Sequence, residues 1–204
     1  MLHVRLNLIT ADPLRLSESV SYIEREVRPA VEGQRANLGM SLLANPEIGV
    51  AVLESFWVSH DALLDSEQAV APLRGEIARR AGGTVTAERY RIPVFEREAP
   101  LRGGEGVRLT RMEAERSAFE DAIEAFGDTA VPWLAETTGF RGALLFADPA
   151  SGHLISETVW RDPAALAASP SAAAVARVGG VDPAQCVIRA VEEYTLVFSS
   201  ARKA

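Results

Sequence analysis

The sequence predicts an α+β fold composed of two tandem copies of one β-α-β-β-α-β unit. Three observations support this prediction. A shift of 103 positions aligns the 204-residue chain with itself without a gap. Within each copy, stretches of period-two alternation and stretches of helical spacing follow one another in the same order. Apolar residues make up 48% of the chain, which is enough to build a core in each copy.

The internal repeat sets the predicted domain organisation. Residues 4–101 and 107–204 share 22 identities in 98 aligned pairs. These identities include charged, turn and aromatic residues: Arg5/Arg108, Pro29/Pro132, Gly39/Gly142, Glu54/Glu157, Ser66/Ser169 and Trp57/Trp160. Such self-similarity indicates a duplicated structural unit. We therefore predict a first unit over residues 1–97, a Pro- and Gly-containing linker over 98–106, and a second unit over 107–204.

Each copy opens with a strand and a helix. The first strand is predicted over Val4–Ala11, and apolar residues at helical spacing follow over Leu16–Val31. The second copy repeats this helical pattern over Phe119–Leu134. Pro29 and Pro132 stand near the ends of the two helices. A proline there is expected to kink or end the helix, because it has no N–H to donate.

The remaining elements follow from turn and capping residues. Strands over Gly39–Ala44 and Val50–Val58 are predicted to form a hairpin, since Asn45–Gly49 carries the Asn, Pro and Gly typical of turns. The second helix is expected to have a short lead-in and then restart. We predict that Ser66 and Ser169 are the N-caps of the restarted helix in the two copies, and that Pro170 is its first helical residue in the second copy. The final strands are predicted over Thr84–Phe95 and Val187–Phe198.

The order of elements also predicts the topology. A β-α-β-β-α-β unit of ferredoxin type has the strand order 4-1-3-2, with antiparallel neighbours and both helices on one face. The other face of the sheet still carries apolar residues, and the second copy is the natural cover for it. We therefore predict two ferredoxin-like units that pack sheet to sheet as an intramolecular pseudo-dimeric α/β barrel.

Four segments of the second copy resemble a known family: Val131–Leu134, Gly139–Leu145, Asp148–Gly152 and Thr158–Trp160. The first copy carries weaker versions at Asn37–Met40 and Ser55–Trp57. On these segments the chain resembles the antibiotic biosynthesis monooxygenase-like family of the dimeric α/β barrel superfamily. The resemblance covers nearly the whole chain, twice, and its motifs are more specific for the fold than for the chemistry.

The resemblance implies three kinds of function. Some members oxidise aromatic polyketides with oxygen and no cofactor, some degrade heme, and others isomerise or bind small molecules. The heme-degrading branch uses an Asn on the first strand, a Trp on the third and a His on the second helix. Asn7 and Trp57 match the first two, but Asp61–Ala81 contains no His. The resemblance therefore favours a cofactor-independent monooxygenase acting on a small, flat, apolar, quinol-like molecule over heme degradation.

The candidate catalytic residues lie in the first copy: Asn7, Trp57 and His60. Asn7 can hydrogen-bond to a bound carbonyl or phenol, and the indole of Trp57 can stack on a flat substrate. His60 can act as a general base if the substrate lies within hydrogen-bond reach. Each residue also has a structural interpretation, respectively a satisfied polar contact, core packing and a solvated histidine.

The candidate substrate-binding residues are divided between the copies. Tyr22 belongs to the first copy, whereas Phe126, Trp133 and Trp160 line a predicted apolar site in the second. The second copy has Thr110 in place of Asn7, so its cavity is predicted to carry fewer polar groups. We therefore assign any chemistry to the first copy.

Two charged positions are kept in both copies. Arg5 and Glu54 lie on strands predicted to be adjacent, as do Arg108 and Glu157. The simplest interpretation is a cross-strand ion pair in each unit. We expect these pairs to be structural rather than catalytic.

Composition narrows the remaining classes. The net charge of −7 argues against a nucleic-acid-binding protein, and no apolar run reaches the length of a transmembrane helix. One cysteine, Cys186, excludes a disulfide framework, and three histidines leave little for a metal centre. We expect a cytoplasmic protein without cofactor or metal, with a small-molecule ligand and room for self-association. An enzyme, a non-catalytic binding protein and a structural protein all stay open.

Overall fold

The computed structural model describes residues 1–97 and 100–202. Glu98 and Ala99 of the predicted linker lie outside the described residues. The strands are β1 Leu2–Thr10, β2 Asn37–Asn45, β3 Val50–Trp57, β4 Thr84–Arg97, β5 Gly106–Ala114, β6 Phe140–Asp148, β7 His153–Trp160 and β8 Cys186–Ser199. The α-helices are α1 Leu16–Tyr22, α2 Arg28–Glu32, α3 His60–Asp65, α4 Glu67–Ala81, α5 Phe119–Ala125, α6 Val131–Ala135, α7 Pro163–Ala168 and α8 Ala172–Val178.

The sheet topology confirms the predicted fold class. The strands form a closed barrel in the hydrogen-bonding order β1-β3-β2-β8-β5-β7-β6-β4. Within this ring the first copy keeps the order β4-β1-β3-β2 and the second copy keeps β8-β5-β7-β6, which is the predicted 4-1-3-2 order. The registered pairs inside each copy are antiparallel. The protein is therefore an α+β barrel of ferredoxin-like repeats.

The chain divides into two compact units whose boundaries cut across its last strands. Unit 1 comprises Met1–Tyr90 with Leu196–Ala204, and unit 2 comprises Arg91–Thr195. In unit 1, the Ser200 N–H donates to the Met40 carbonyl oxygen at 2.7 Å. In unit 2, the end of β4 pairs with β6. Unit 1 therefore contains the end of β8, which begins in the second repeat. Unit 2 contains the end of β4, which begins in the first repeat.

These strand ends explain a pair of glycines that both copies keep. A methyl group on Gly39 would lie 2.3 Å from the Ser200 carbonyl oxygen. A methyl group on Gly142 would lie 2.6 Å from the Glu96 carbonyl oxygen. Both distances are shorter than any tolerable contact, so the close passage of the backbone requires glycine at both positions.

The helical layer shows where the two copies have diverged. The elements from α2 to α3 recur 103 residues later with the same lengths, as α6 to α7. The second helix does not: α4 has 15 residues, whereas α8 has 7. The longer helix buries Val70, Ile77 and Ala81 against its sheet, and the shorter one has no buried residue. Unit 2 therefore has less helix to cover its sheet.

The two prolines of the first helical region do not end their helices. In each copy a π-helical turn, Ile23–Val27 or Phe126–Ala130, precedes the proline, and an α-helix then continues through it. A π turn widens the helix and shifts the hydrogen-bond pattern, which accommodates the missing N–H of Pro29 and Pro132. The prolines lie near the helix ends as predicted, but each helix continues for about one turn past the proline, to Glu32 and to Ala135. Within the described ranges, no helix has both the length and the apolarity needed to cross a bilayer.

The predicted N-cap position is confirmed for Ser66, which is the N-cap residue of α4 although its side chain makes no capping bond. It is wrong for Ser169, because Ser171 caps α8. Each of the two hydroxyls turns back and donates to a carbonyl oxygen of the lead-in helix, on Leu63 at 2.7 Å and on Leu166 at 2.6 Å. The restarted helix of the second copy is capped by Ser171, so Pro170 lies outside it.

The arginines that both copies keep, Arg5 and Arg108, bond to these same carbonyl and hydroxyl groups. Arg5 donates to the Leu63 carbonyl oxygen at 2.6 Å and to the Ser66 hydroxyl at 3.1 Å. Arg108 likewise donates to the Leu166 carbonyl oxygen at 3.3 Å and to the Ser169 hydroxyl at 2.9 Å. A cation is favourable at the carboxyl end of a helix, where backbone carbonyls lack partners. This repeated contact fixes the end of the lead-in helix to the first strand of each copy.

The predicted cross-strand Arg–Glu pairs are therefore wrong. In the β1–β3 ladder Arg5 lies opposite Ser55, and Glu54 lies opposite Leu6. Adjacent positions on a strand point to opposite faces, so Arg5 and Glu54 face away from each other. The β5–β7 ladder repeats this register. Glu157 instead accepts from Arg97 at 3.2 Å, and both side chains are buried.

Candidate functional site

The main candidate site is a mainly apolar cavity inside unit 2. Its sheet wall comes from β5, β6 and β7, and its helical wall comes from the π turn, α6 and α8. The apolar lining includes Leu134, Leu145, Leu154, Phe126 and Trp160. A small, mainly apolar cavity of this kind suits a small, flat, apolar ligand.

The cavity exists because unit 2 has smaller side chains where unit 1 is filled. On the second helix, Ala176 takes the place of Leu73 under the 103-residue register. On the π turn Ala130 replaces Val27. Shortening α8 removes a further layer of side chains. The remaining space is lined by small residues on the helical side and by the indole of Trp160 on the sheet side.

A row of hydroxyl groups supplies most of the polarity of this cavity. Ser156 and Thr158 follow each other at every second position of β7 and so share the cavity face, and Thr110 lies opposite Ser156 in the β5–β7 ladder. The Trp160 Nε1–H donates to the Thr158 Oγ1 atom at 3.1 Å, which leaves the Thr158 hydroxyl proton available. These side chains can donate to, or accept from, a carbonyl or phenol on a bound ring.

Arg108 borders the cavity but has no donor left for a ligand. Besides its contacts with Leu166 and Ser169, its guanidinium donates to the Pro170 carbonyl oxygen at 2.7 Å and forms two bonds to the Glu193 carboxylate at 3.1 and 2.7 Å. Together these contacts use all five N–H groups of an arginine. Its charge is also balanced by Glu193, so the cavity is effectively neutral.

A second, smaller cavity lies in unit 1. Val70, Leu73 and Ile77 of α4 fill much of the space that is open in unit 2. The polar groups at its wall differ in kind from the hydroxyls of unit 2: they include Arg5, Arg74 and Asn7. The two cavities therefore offer different chemistry in equivalent places of the two copies.

No protein-family model matches the chain. An uncharacterized protein of Mycobacterium tuberculosis strain H37Rv, Rv2558, is 25% identical over 203 residues, which cover 99% of this chain and 86% of that protein. A candidate monooxygenase from Fusobacterium nucleatum superposes with a TM-score of 0.74 at 11% identity, covering 100% of this chain and 95% of the other. An anthrone oxidase-like protein superposes with a TM-score of 0.68 at 16% identity, covering 97% and 92%.

A third solved structure relates this architecture to a family. A ferredoxin-fold protein from Listeria monocytogenes, described as related to antibiotic biosynthesis monooxygenases, superposes with a TM-score of 0.57 at 11% identity over 100% of this chain and 96% of the other. The chain has the antibiotic biosynthesis monooxygenase-like α/β barrel fold. At these identities the likeness establishes the fold, and the chemistry must be argued from the cavities of this chain.

Within this monooxygenase-like fold, the structure brings one of the three predicted catalytic residues to a cavity. Asn7 lines the unit 1 cavity. Trp57 is fully buried, donates from Nε1 to the Ser55 hydroxyl at 3.1 Å and is not part of the cavity wall. His60 is the first residue of α3 and is exposed, with its ring 5.4 Å from that of His3. The three side chains do not surround a common space.

The predicted substrate-binding residues are likewise divided. Phe126 and Trp160 line the unit 2 cavity. Trp133 packs on the outside of the same core and does not reach the cavity. Tyr22 is half-buried beside Arg80, whose guanidinium carbon lies 4.4 Å above the phenol ring. Burial raises the pKa of Tyr22, so its phenol stays neutral at physiological pH.

Sequence reasoning missed Ser156 and Thr158, although a signal was available. Ser156, Thr158 and Trp160 alternate along one strand and therefore share one face. In the first copy the corresponding residues are Leu53, Ser55 and Trp57. The repeat alignment shows that Ser156 replaces Leu53 on the strand face that carries Trp160. This replacement alone does not indicate a cavity, because the strand pattern does not show whether a helix side chain fills the space above it.

Heme does not fit the cavities of this chain. Histidine is the axial ligand that the heme-degrading members of this fold would supply, and among the residues that the structure describes none lines either cavity. His60 is exposed at the start of α3 and His153 is exposed at the start of β7. We therefore derive no step that involves heme.

Cys186 provides a chemical reporter for the unit 2 cavity. Its thiol lies in the cavity wall, and burial raises its pKa, so little thiolate is present at neutral pH. We expect Ellman's reagent to modify the native protein slowly, by about a factor of ten or more relative to urea-unfolded protein. A ligand in the cavity should slow the reaction further. Rapid modification of native protein would show that the cavity wall opens freely to solvent.

Proposed function

We propose that the protein binds a small, flat, largely apolar aromatic molecule in the unit 2 cavity. The observation that carries this proposal is the cavity itself, a mainly apolar space bordered by Phe126 and Trp160. Burial of an aromatic ligand against apolar walls is favourable, and an indole adds a stacking surface. The saturated, charge-balanced Arg108 favours a neutral ligand over an anion.

The hydroxyl groups define where the polar end of such a ligand would lie. Thr110, Ser156 and Thr158 are grouped on the sheet wall, whereas the helical wall offers Ala176, Gly179 and other small residues. A ring system with a carbonyl or phenol at one edge would place that edge toward the sheet and its apolar face toward α8. One or two polar groups amid apolar walls are typical of small-molecule sites.

Filling the cavity tests this proposal. Ala176→Phe places a benzyl group in the cavity from α8, and we expect it to weaken binding of the neutral fluorescent probe N-phenyl-1-naphthylamine by about tenfold or more. Ala173→Phe is the matched control, because Ala173 is an exposed residue of the same helix outside the cavity wall. Probe fluorescence should rise with wild type and the control. Equal binding by all three proteins would contradict the proposed site.

A second candidate function is oxygenation of the bound molecule without a cofactor, which places the chemistry in the second copy and not in the first, where the sequence alone led us to expect it. The clustered hydroxyls favour it, because they can stabilise the enolate oxygen that forms when an anthrone-like CH₂ group loses a proton. The overall reaction converts CH₂ and O₂ into a carbonyl group and water. The solved structures that share this fold include an anthrone oxidase-like protein, which makes this substrate class the first to try.

Oxygen consumption distinguishes catalysis from binding. With anthrone as the probe, an enzyme should consume one O₂ per molecule oxidised and show a matching rise in anthraquinone absorbance. Ser156→Ala should slow this reaction by about tenfold or more while retaining the fold. Saturable anthrone binding without oxygen uptake above the protein-free rate would assign the cavity to binding alone.

A further inference from the structure

The unit 1 cavity contains buried polar atoms that the protein itself leaves without partners. The Asn7 Oδ1 atom, the Arg5 Nε atom and one terminal nitrogen of Arg74, Nη1, are each buried and make no hydrogen bond within the described part of the chain. All three side chains line the same cavity. Arg5 is 1% exposed and Asn7 is 5% exposed. Buried polar atoms are normally satisfied, so three orphans at one cavity point to a partner from outside the chain.

The orientation of Asn7 is fixed by a bond it does make. Its Nδ2 group donates to the Leu53 carbonyl oxygen at 3.2 Å, so the Oδ1 atom is the end that remains unpaired. The unpaired atoms of the two arginines are donors, whereas that of Asn7 is an acceptor. A group that both accepts and donates hydrogen bonds would satisfy all three.

The charges around this cavity are not balanced. Arg5, Arg74 and Arg89 all contact one carboxylate, that of Glu67, with Arg5 at 3.0 Å and Arg89 at 3.3 Å. One carboxylate thus balances the charge of three guanidinium groups, and two of these, on Arg5 and Arg74, line the cavity. Buried charge without compensation is costly, and an anion in the cavity would remove that cost.

The second copy lacks this arrangement. There Pro170 replaces Glu67 and Thr110 replaces Asn7. Arg108 uses all its donors inside the protein, and Arg177, which corresponds to Arg74, is exposed and is not in the cavity wall. The unpaired donors and the excess of positive charge therefore belong to unit 1 and are not a general property of the repeat.

We propose that the unit 1 cavity binds a small organic acid, with its carboxylate on Arg5 and Arg74 and a hydroxyl group donating to Asn7. Guanidinium groups form strong charge-assisted hydrogen bonds with carboxylates. Val27, Val31 and Ile77 supply apolar contacts for the remainder of the molecule. This cavity is smaller than that of unit 2, so it favours a single ring or a short chain over a polycycle. This site is independent of the ligand proposed for unit 2.

Calorimetric titration in chloride-free buffer tests the class of ligand. The probes are benzoate, which has the carboxylate alone, mandelate, which adds a hydroxyl group, and neutral benzyl alcohol. We expect both acids to bind and mandelate to bind several-fold more tightly than benzoate, because only mandelate can donate to Asn7. Asn7→Leu should abolish that preference. Benzyl alcohol should not bind measurably at this site.

Two variants assign the binding to unit 1. Arg74→Gln should weaken benzoate binding by about tenfold or more, whereas Arg79→Gln, on the exposed side of the same helix, should change it by less than about twofold. Ala176→Phe in unit 2 should leave benzoate binding unchanged. Urea melts confirm that each variant is folded.

Four results would overturn the inference. These are the absence of binding of either acid at millimolar concentration, equal binding of benzyl alcohol, unchanged affinity in a folded Arg74→Gln variant, and loss of benzoate binding in Ala176→Phe. The first would mean that bridging water satisfies the buried atoms. None of these results depends on whether the aromatic probe binds unit 2, so the two proposals fail separately.

Discussion

Replacement of Arg5 or Arg108 by methionine is expected to lower the free energy of unfolding by about 2–4 kcal/mol. Both guanidinium groups are buried and bond to a carbonyl in the last turn of a lead-in helix and to the serine just after that helix. Methionine keeps most of the side-chain volume, but each carbonyl then keeps only the serine hydroxyl as a donor and each serine oxygen loses the arginine donor. The lead-in helix should then lose its attachment to the first strand.

Urea melts with matched surface controls measure this effect. Arg79→Met in unit 1 and Arg189→Met in unit 2 each remove an ion pair whose arginine is mostly exposed. Surface pairs of this kind contribute about 0–1 kcal/mol. Midpoints that fall equally in the buried and the surface variants would show that the repeated arginines do not hold the fold.

Truncation of Trp160 to alanine is expected to cost about 3–5 kcal/mol of stability, and Trp57→Ala about the same. Both indoles are fully buried, and each donates from Nε1 to a hydroxyl two residues earlier on its own strand. Removal of either ring leaves a void and an unpaired hydroxyl. These are the largest effects of single core substitutions that we expect in this chain.

The two tryptophans should differ in their effect on ligands. Trp160 lines the unit 2 cavity and Trp57 lines neither cavity. Trp160→Phe, a gentler change, should therefore weaken N-phenyl-1-naphthylamine binding, whereas Trp57→Phe should leave it unaltered. Measurement of both variants at a temperature where each is folded separates packing from binding. An equal loss of probe binding in both would mean that the loss reflects destabilisation of the fold.

The sequence by itself determined the fold and its duplication. Period-two and helical patterns, the Asn/Asp-Pro-Gly turns and the ungapped 103-residue register are local or pairwise properties of the chain. They were sufficient for the strand order, the hairpins and the broken second helix. The same alignment identified Arg5, Arg108, Trp57 and Trp160 as positions that both copies keep, although it could not assign their partners.

Only the tertiary structure decided which atoms meet and which space stays open. In the β1–β3 ladder Glu54 lies opposite Leu6, one position along from Arg5, so the two side chains are on opposite faces. Each arginine bonds instead to groups at the end of a helix. The shortening of α8 opened a neutral cavity in unit 2, while α4 closed most of the equivalent space in unit 1 and left Asn7 and Arg74 with unpaired atoms there. Cavities and unpaired atoms arise from the sum of many side-chain volumes and directions, and no local pattern in a sequence encodes that sum.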